Sequence, residues 1–243
     1  GSLSGLLDEA TLADDLGAVG PKVREWPSLR RLLEVGQTIT GTGHRELGLE
    51  PGEPDAGQFD RPRDVLAVGT AGMLVRATAW QEIGGFDPNL PLFGDDIDFG
   101  WRLNNAGWRV RTAPRSVVFH AEASRSLRRN RRGGVRQRVG ERRSAGLYTL
   151  LVNERRMRLP FVWFRLFFGC LVRALGFVIG KDFRAFQREL AAVLTVFASP
   201  RRILRARAAR KHLVKVPAKT IAALRPSFMH PYLHGIDVAR AGL

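Results

Sequence analysis

Apolar and polar positions along the chain alternate in blocks that read as strands and helices in turn. After a helical stretch near 4–16, "GAVGPKV" at 17–23 predicts a short buried strand ended by Pro21. "RRLLEVGQTIT" at 30–40 predicts another strand, and 41–63, rich in Gly, Pro and acids, predicts a loop. "DVLAVGTAGMLV" at 64–75 is apolar, small and β-branched, which predicts a central strand. A helix follows over 76–83 and stops at Gly84-Gly85. Ile97, Trp101 and Asn104 then share one helical face, beside Phe99, Leu103 and Ala106, with Gly107 as the stop. "WRVRTAP" and "SVVFHAEA" predict two strands separated by Pro114. Strands alternating with helices make the fold class α/β, whose ligand site normally lies at the strand ends.

The pattern changes at Ser124. Residues 128–143 hold eight arginines against one glutamate, with the pair Gly133-Gly134 in the middle, and predict a linker over 125–146. From Leu159 to Gly180 the chain carries only two charges, Arg165 and Arg173, over nearly the length needed to cross a bilayer. Arg158, Arg165 and Arg173, spaced by seven and eight, share one helical face within about 80°. Each arginine at mid-bilayer would cost about 2.5–3.5 kcal/mol. A cationic stripe on an apolar helix therefore fits a helix lying in the membrane interface; the plainer reading is a core helix covering the α/β domain. The apolar run 190–198 is too short to span. "PRRILRARAARKHLVK", which follows, suits anionic headgroups on the cytoplasmic side. The expected organisation is an α/β domain over 1–124, an arginine-rich linker over 125–146, and basic, membrane-associated α-helices over 147–243.

Charge sharpens that division. The 243 residues carry a net charge of +16, with 12 basic and 18 acidic residues in 1–122 against 27 and 5 in 123–243. An acidic front and a basic back call for different partners. One cysteine, Cys170, excludes an internal disulfide and sits among apolar neighbours as an inert thiol. Residues 1–16 carry acids and no basic region of the kind that opens a secretory signal.

The chemistry concentrates in "LFGDDIDFGWRL", residues 92–103, where Asp95, Asp96 and Asp98 lie directly ahead of the helical run. Structurally, Asp95 reads as an N-cap and Asp98 as a first-turn residue, both favoured at the positive end of a helix. Functionally, carboxylates there project from a rigid element toward a ligand. The two readings are compatible.

Further residues accompany the acids in order: Gly72, Arg76, Gly84-Gly85-Phe86-Asp87, Asp95-Asp96, Trp101-Arg102 and His120. In this pattern residues 68–124 resemble the second half of the catalytic domain of family 2 glycosyltransferases. The resemblance begins near residue 17. It implies a partial GT-A (Rossmann-like) domain that moves a sugar from a nucleotide-sugar donor to a hydroxyl acceptor, usually with inversion. By the resemblance, Asp96 is the base that takes the acceptor's proton, and Asp95 positions the acceptor or supports Asp96. Gly72, Met73, Trp101 and Arg102 correspond to substrate-binding positions, and His120 to a ligand of a divalent metal, Mg or Mn, on the leaving diphosphate. Taken alone, His120 is a hydrogen-bonded histidine at a strand end.

The family's metal-binding Asp-x-Asp and nucleotide pocket lie upstream of the part "GAVGPKV" resembles. Asp96-Ile97-Asp98 occupies the base position and does not replace them. The donor half is thus expected to be absent from this stretch, and the polypeptide alone inactive. The Gln-x-x-Arg-Trp pattern of processive synthases is missing, which argues against a polymerase. The expected partners are a nucleotide sugar, a glycan or lipid-linked acceptor and an anionic membrane surface, at the cytoplasmic face of the cell membrane.

Three other readings compete. A nucleic-acid binder would use the basic half, but the arginine run lacks interleaved aromatics for base stacking, so nucleic acid is not expected. An isoprenoid-diphosphate enzyme needs acids at i and i+4, where residue 99 is Phe. A non-catalytic membrane-anchored scaffold would keep the fold without the donor half.

Overall fold

A computed structural model describes residues 1–90, 93–121 and 135–227. In chain order the elements are α1 (Ser2–Ala10), β1 (Leu16–Glu25), β2 (Leu32–Glu34), β3 (Thr38–Ile39), β4 (Arg45–Glu46), β5 (Leu74–Val75), α2 (Ala77–Ile83) and α3 (Asp95–Ala106). They continue with β6 (Arg109–His120), α4 (Val135–Asn153), α5 (Leu159–Ile179), α6 (Phe183–Phe197), α7 (Pro200–Arg210) and α8 (Ala218–Ala223). The described residues divide into two compact units. One comprises those within 1–38, 46–131 and 212–225, and the other those within 39–45 and 132–211. Two segments cross the expected boundaries: 39–45 belongs with the helical unit, and 212–225 returns to the α/β unit.

The first unit is a mixed α/β layer built on β1. Strand β6 runs parallel to β1 along its whole length, from Leu16↔Arg109 to Glu25↔His120. The opposite edge of β1 is shared by β5, antiparallel at Ala18 and Val19, and β2, antiparallel at Val23 and Arg24. Pro21 does not end β1. It falls between the two antiparallel partners, where its missing N–H is not required. Pro114 likewise does not split β6: three residues, Pro114, Arg115 and Ser116, bulge out between Ala113 and Val117 while the strand continues. The expected central strand at 64–75 reduces to β5. Before it, Asp64 and Ala67 make isolated bridges to Arg111 and Gln37.

Alternation along β1 sorts its side chains onto two faces. Ala18 joins a core of Ala79, Ile83, Phe99, Leu103, Ala106 and Val110 under α2 and α3, whereas Val19 meets Leu6 of α1 and Ala113. Lys22, also on β1, is 1% exposed. Its ammonium is paired with Asp55 and Asp60, and Arg24 also pairs with Asp55, so the acidic loop is tied onto the strand. Both glycine stops hold, with Gly84 (φ 72°) closing α2 and Gly107 (φ 95°) closing α3.

The second unit is a helical bundle. Helix α4 starts at Val135, so the described part of the expected linker is helical; residues 122–134 of the arginine-rich run lie outside the described residues. Helix α5 buries Val162, Leu166, Cys170 and Ala174. Its opposite face leaves Phe161, Phe164, Phe168, Leu175 and Ile179 exposed. Of the three arginines, Arg158 and Arg173 are exposed and Arg165 is half-buried. Arg165 donates to the Gly41 carbonyl, and Arg173 pairs with the buried Glu189 of α6 at 3.4 Å. Glu189 also takes Arg143 of α4 at 3.0 Å. The helix carries its charges on the flank next to its buried stripe, where two of the unit's acceptors lie. Burial pushes the Cys170 thiol up to about 11, with Arg143 opposing and Glu189 adding to the rise, consistent with an inert cysteine. Among the described residues, 156–179 form one helix long and apolar enough to cross a membrane.

Candidate active site

The approach to α3 is set by the Gly-Gly-Phe-Asp turn. Gly85 has φ 69°, and a Cβ there would meet the Trp80 ring at 2.8 Å. Phe86 then packs edge-on to Trp80, 5.1 Å between centroids, and 5.0 Å from Phe99 on α3. Asp87 Oδ1 accepts from the Asn89 backbone and side-chain N–H groups, both at 2.8 Å, which closes a local turn. These contacts deliver the chain to Gly94, whose φ of 73° makes it the N-cap. The expected N-cap, Asp95, is instead the first helical residue. Glycine serves because the cap needs left-handed backbone, which an aspartate adopts less readily.

The three carboxylates of the first turn have three different surroundings. Asp98 is 0% exposed and pairs with Arg102 Nε at 2.8 Å, one turn along the helix. Arg102 Nη1 in turn donates to the Ile83 carbonyl at 2.7 Å, tying α3 to the end of α2. Asp96 is half-buried. Its Oδ2 accepts from Gln37 Nε2 at 2.6 Å and its Oδ1 from the Ile97 backbone N–H at 2.8 Å. Asp95 is also half-buried, and its carboxyl lies above the ordinary range, first through burial and then through the adjacent charge of Asp96 and, more weakly, Asp98.

The other expected site residues divide between surface and interior. Gly72 stands ahead of β5 with its α-carbon against Pro21 and Val118, where a Cβ would lie 2.7 Å from Pro21 Cγ. Met73 is half-buried against the core under α3. Trp101 and Arg102 are 1% and 4% exposed, and the Trp101 ring is covered by the Arg225 guanidinium at 4.6 Å. These side chains pack inside the unit and fix α3 from within. The reason is geometric, since residues five and six positions along a helix from Asp96 do not project with it. Arg76 is likewise structural, donating to the carbonyls of Leu16, Ala10 and Ala13.

His120 is exposed at the end of β6, where its carbonyl accepts from Trp26 N–H at 3.0 Å. No group of three or more His, Cys, Asp or Glu able to hold a metal occurs among the described residues.

Sequence reading missed Gln37. It lies 59 positions from its partner Asp96 and is carried by a short segment between β2 and β3. No local pattern announces such a contact, although the polar residue interrupting an apolar run was a usable signal.

The ordered motif, the αL glycines and the carboxylate pair opening α3 coincide with a known family. The sequence matches the model of glycosyl transferase family group 2 over residues 50–200. The chain belongs to that family. It is similar to the N-acetylglucosaminyl-diphospho-decaprenol L-rhamnosyltransferase of Mycobacterium tuberculosis, 32% identical over 141 residues, covering 51% of this chain and 43% of the relative. It is also similar to the O-antigen biosynthesis protein RfbC of Myxococcus xanthus, 36% identical over 46% of this chain and 9% of that protein. A third relative is the pre-mycofactocin glycosyltransferase of Mycobacterium tuberculosis, 37% identical over 27% of this chain and 15% of the relative. The chain thus spans less than half the length of these family members. The family match runs from the acidic loop, through α3 and β6, into the helices of the second unit.

Proposed function

We propose that this chain takes part in transfer of a sugar from a nucleotide-sugar donor to a hydroxyl of a glycan or lipid-linked acceptor, with Asp96 as the base. The observation that carries the reading is the carboxylate pair opening α3, with Asp96 oriented by two N–H donors and still partly open to solvent. In an inverting transfer the acceptor oxygen attacks the anomeric carbon as the bond to the diphosphate oxygen breaks on the opposite side. Asp96 takes the acceptor's proton, and the nucleoside diphosphate leaves with the bonding pair. Asp95, more readily protonated than an ordinary aspartate, suits a hydrogen bond to the acceptor. A divalent ion would neutralise the diphosphate, with His120 as one candidate ligand.

Likeness to the rhamnosyltransferase makes nucleotide-activated L-rhamnose the first donor to test, and an N-acetylglucosaminyl-diphospho-polyprenol the first acceptor. The exposed apolar face of α5 supports a location at the cytoplasmic face of the membrane, where a lipid-linked acceptor would be met. The test is transfer by the natural full-length protein and its Asp96→Asn variant. We expect D96N to lower kcat by about 10²- to 10⁴-fold. Undiminished transfer by D96N would remove the base from the reading.

A further inference from the structure

We infer that Gln37 is a positioning residue for Asp96, an inference that rests on the transferase reading above. Gln37 is 3% exposed. Its backbone is fixed in both directions to Ala67, with Gln37 N–H donating to the Ala67 carbonyl at 2.8 Å and Ala67 N–H to the Gln37 carbonyl at 3.1 Å. Its side chain donates from Nε2 to Asp96 Oδ2 at 2.6 Å. Its Oε1 is buried and has no hydrogen-bond partner among the described residues.

That last fact separates positioning from packing. A buried amide with one unpaired end is destabilising relative to an apolar side chain of the same size, which would leave nothing unsatisfied. Methionine or leucine would fill the space at less cost. The one thing the amide supplies that they would not is the N–H aimed at Asp96, and a hydrogen bond to a charged acceptor is among the stronger kinds.

The frame behind this bond is rigid on both sides. Helix α3 is seated on the same 65–67 backbone that holds Gln37: a Cβ on Gly100 would come within 2.7 Å of the Ala67 α-carbon. Asn104 Nδ2 donates to the Leu66 carbonyl at 3.0 Å. Gln37 and Asp96 therefore hang from one piece of chain, and the helix is placed without the help of the amide. What Gln37 adds is the direction of the carboxylate. With Oδ2 held by Gln37 and Oδ1 by the Ile97 N–H, rotation about the carboxylate bond is blocked, and its remaining lone pairs keep one aim.

The experiment compares Gln37→Met, which keeps the volume and removes both the donor and the unpaired oxygen, with Gln37→Glu, which puts an acceptor where the donor was. The measurements are kcat and KM for nucleotide-sugar transfer by the natural full-length protein, together with melting temperature. Q37M is expected to lower kcat by about 10- to 100-fold, with KM for both substrates within about two-fold and the melting temperature not lowered. Q37E is expected to lose at least as much, and it carries the test should Q37M misfold. In a D96N background Q37M should bring no further loss, because its effect passes through that carboxylate. A wild-type protein that transfers sugar while Q37M keeps kcat within two-fold overturns this inference alone, and so does an equal loss in the D96N background. Absence of transfer by the wild type overturns the transferase reading and this inference with it.

Discussion

Helix α3 is the more polar of two helices and the more buried; α5 is the more apolar and the more exposed. Ten of the twelve residues of α3 are buried, including Asp98, Arg102, Asn104 and Asn105. On α5 only four of twenty-one are buried, while Phe161, Phe164, Phe168, Val172 and Ile179 stand open. The inversion has a cause on each side. Helix α3 tolerates burial because most of its polar groups have partners: Asp98 has Arg102, Arg102 has the Ile83 carbonyl, and Asn104 has those of Leu66 and Gly100. Helix α5 has one stripe against its own unit, and its remaining apolar surface exceeds what a water-facing helix normally carries. Burial here follows partners rather than hydropathy, and an unpartnered apolar face of this size calls for an apolar partner.

The comparison breaks most readily at its polar end. Asp98→Ala would leave the Arg102 guanidinium buried without its carboxylate and should destabilise the α/β unit by about 3–5 kcal/mol, read by chemical denaturation. A loss below about 1 kcal/mol would mean that the pair contributes little and that α3 is held by its apolar residues. At the apolar end, Phe164→Asp with Phe168→Asp changes exposed positions and should leave the melting temperature within a few degrees. The same pair should weaken binding to anionic phospholipid vesicles by about 10- to 100-fold, measured by sedimentation. Undiminished binding would show that the aromatic face is not the membrane contact.

The smallest effect concerns the inner flank of α5. His44 is held down from its ordinary 6.5 to about 4, by burial first and then by Arg143 and Arg173, with Glu189 opposing. Between those values the unfolded chain binds more protons at this site than the folded one. Stability should therefore fall as pH drops from about 6.5 toward 4, by about 1–2 kcal/mol given partial access of solvent. Comparing the pH dependence of melting for wild type and His44→Asn checks this: the variant should lose that part of the slope. An unchanged slope would place Arg143 and Arg173 away from the imidazole.

Features written in single residues were legible before any coordinates. The glycine stops at Gly84-Gly85 and Gly107, the helix opening on Asp95 and Asp96, and the short buried strand begun by "GAVGPKV" all follow from local pattern. What escaped was set by partners distant in sequence. Lys22 reads as a break in an apolar strand until Asp55 and Asp60 close over it. Residues 64–73 have strand composition but lie mostly outside the ladder, because β5 and β2 already occupy that edge of β1. The arginines of α5 were correctly placed on one face, yet the carbonyl of Gly41 and the carboxylate of Glu189 decide which way that face turns. At the site, the carboxylate pair was visible and its orienting amide was not, since Gln37 meets Asp96 only after β1 has collected its neighbours.

The bulge in β6 costs the strand none of its register. Ala113 lies opposite Pro21 and Val117 opposite Lys22, so the three residues between them add no advance along β1 beyond one ordinary step. Excising Pro114, Arg115 and Ser116 would leave His120 facing Glu25 on the same side of the sheet. The loop they form can therefore change length without moving the imidazole.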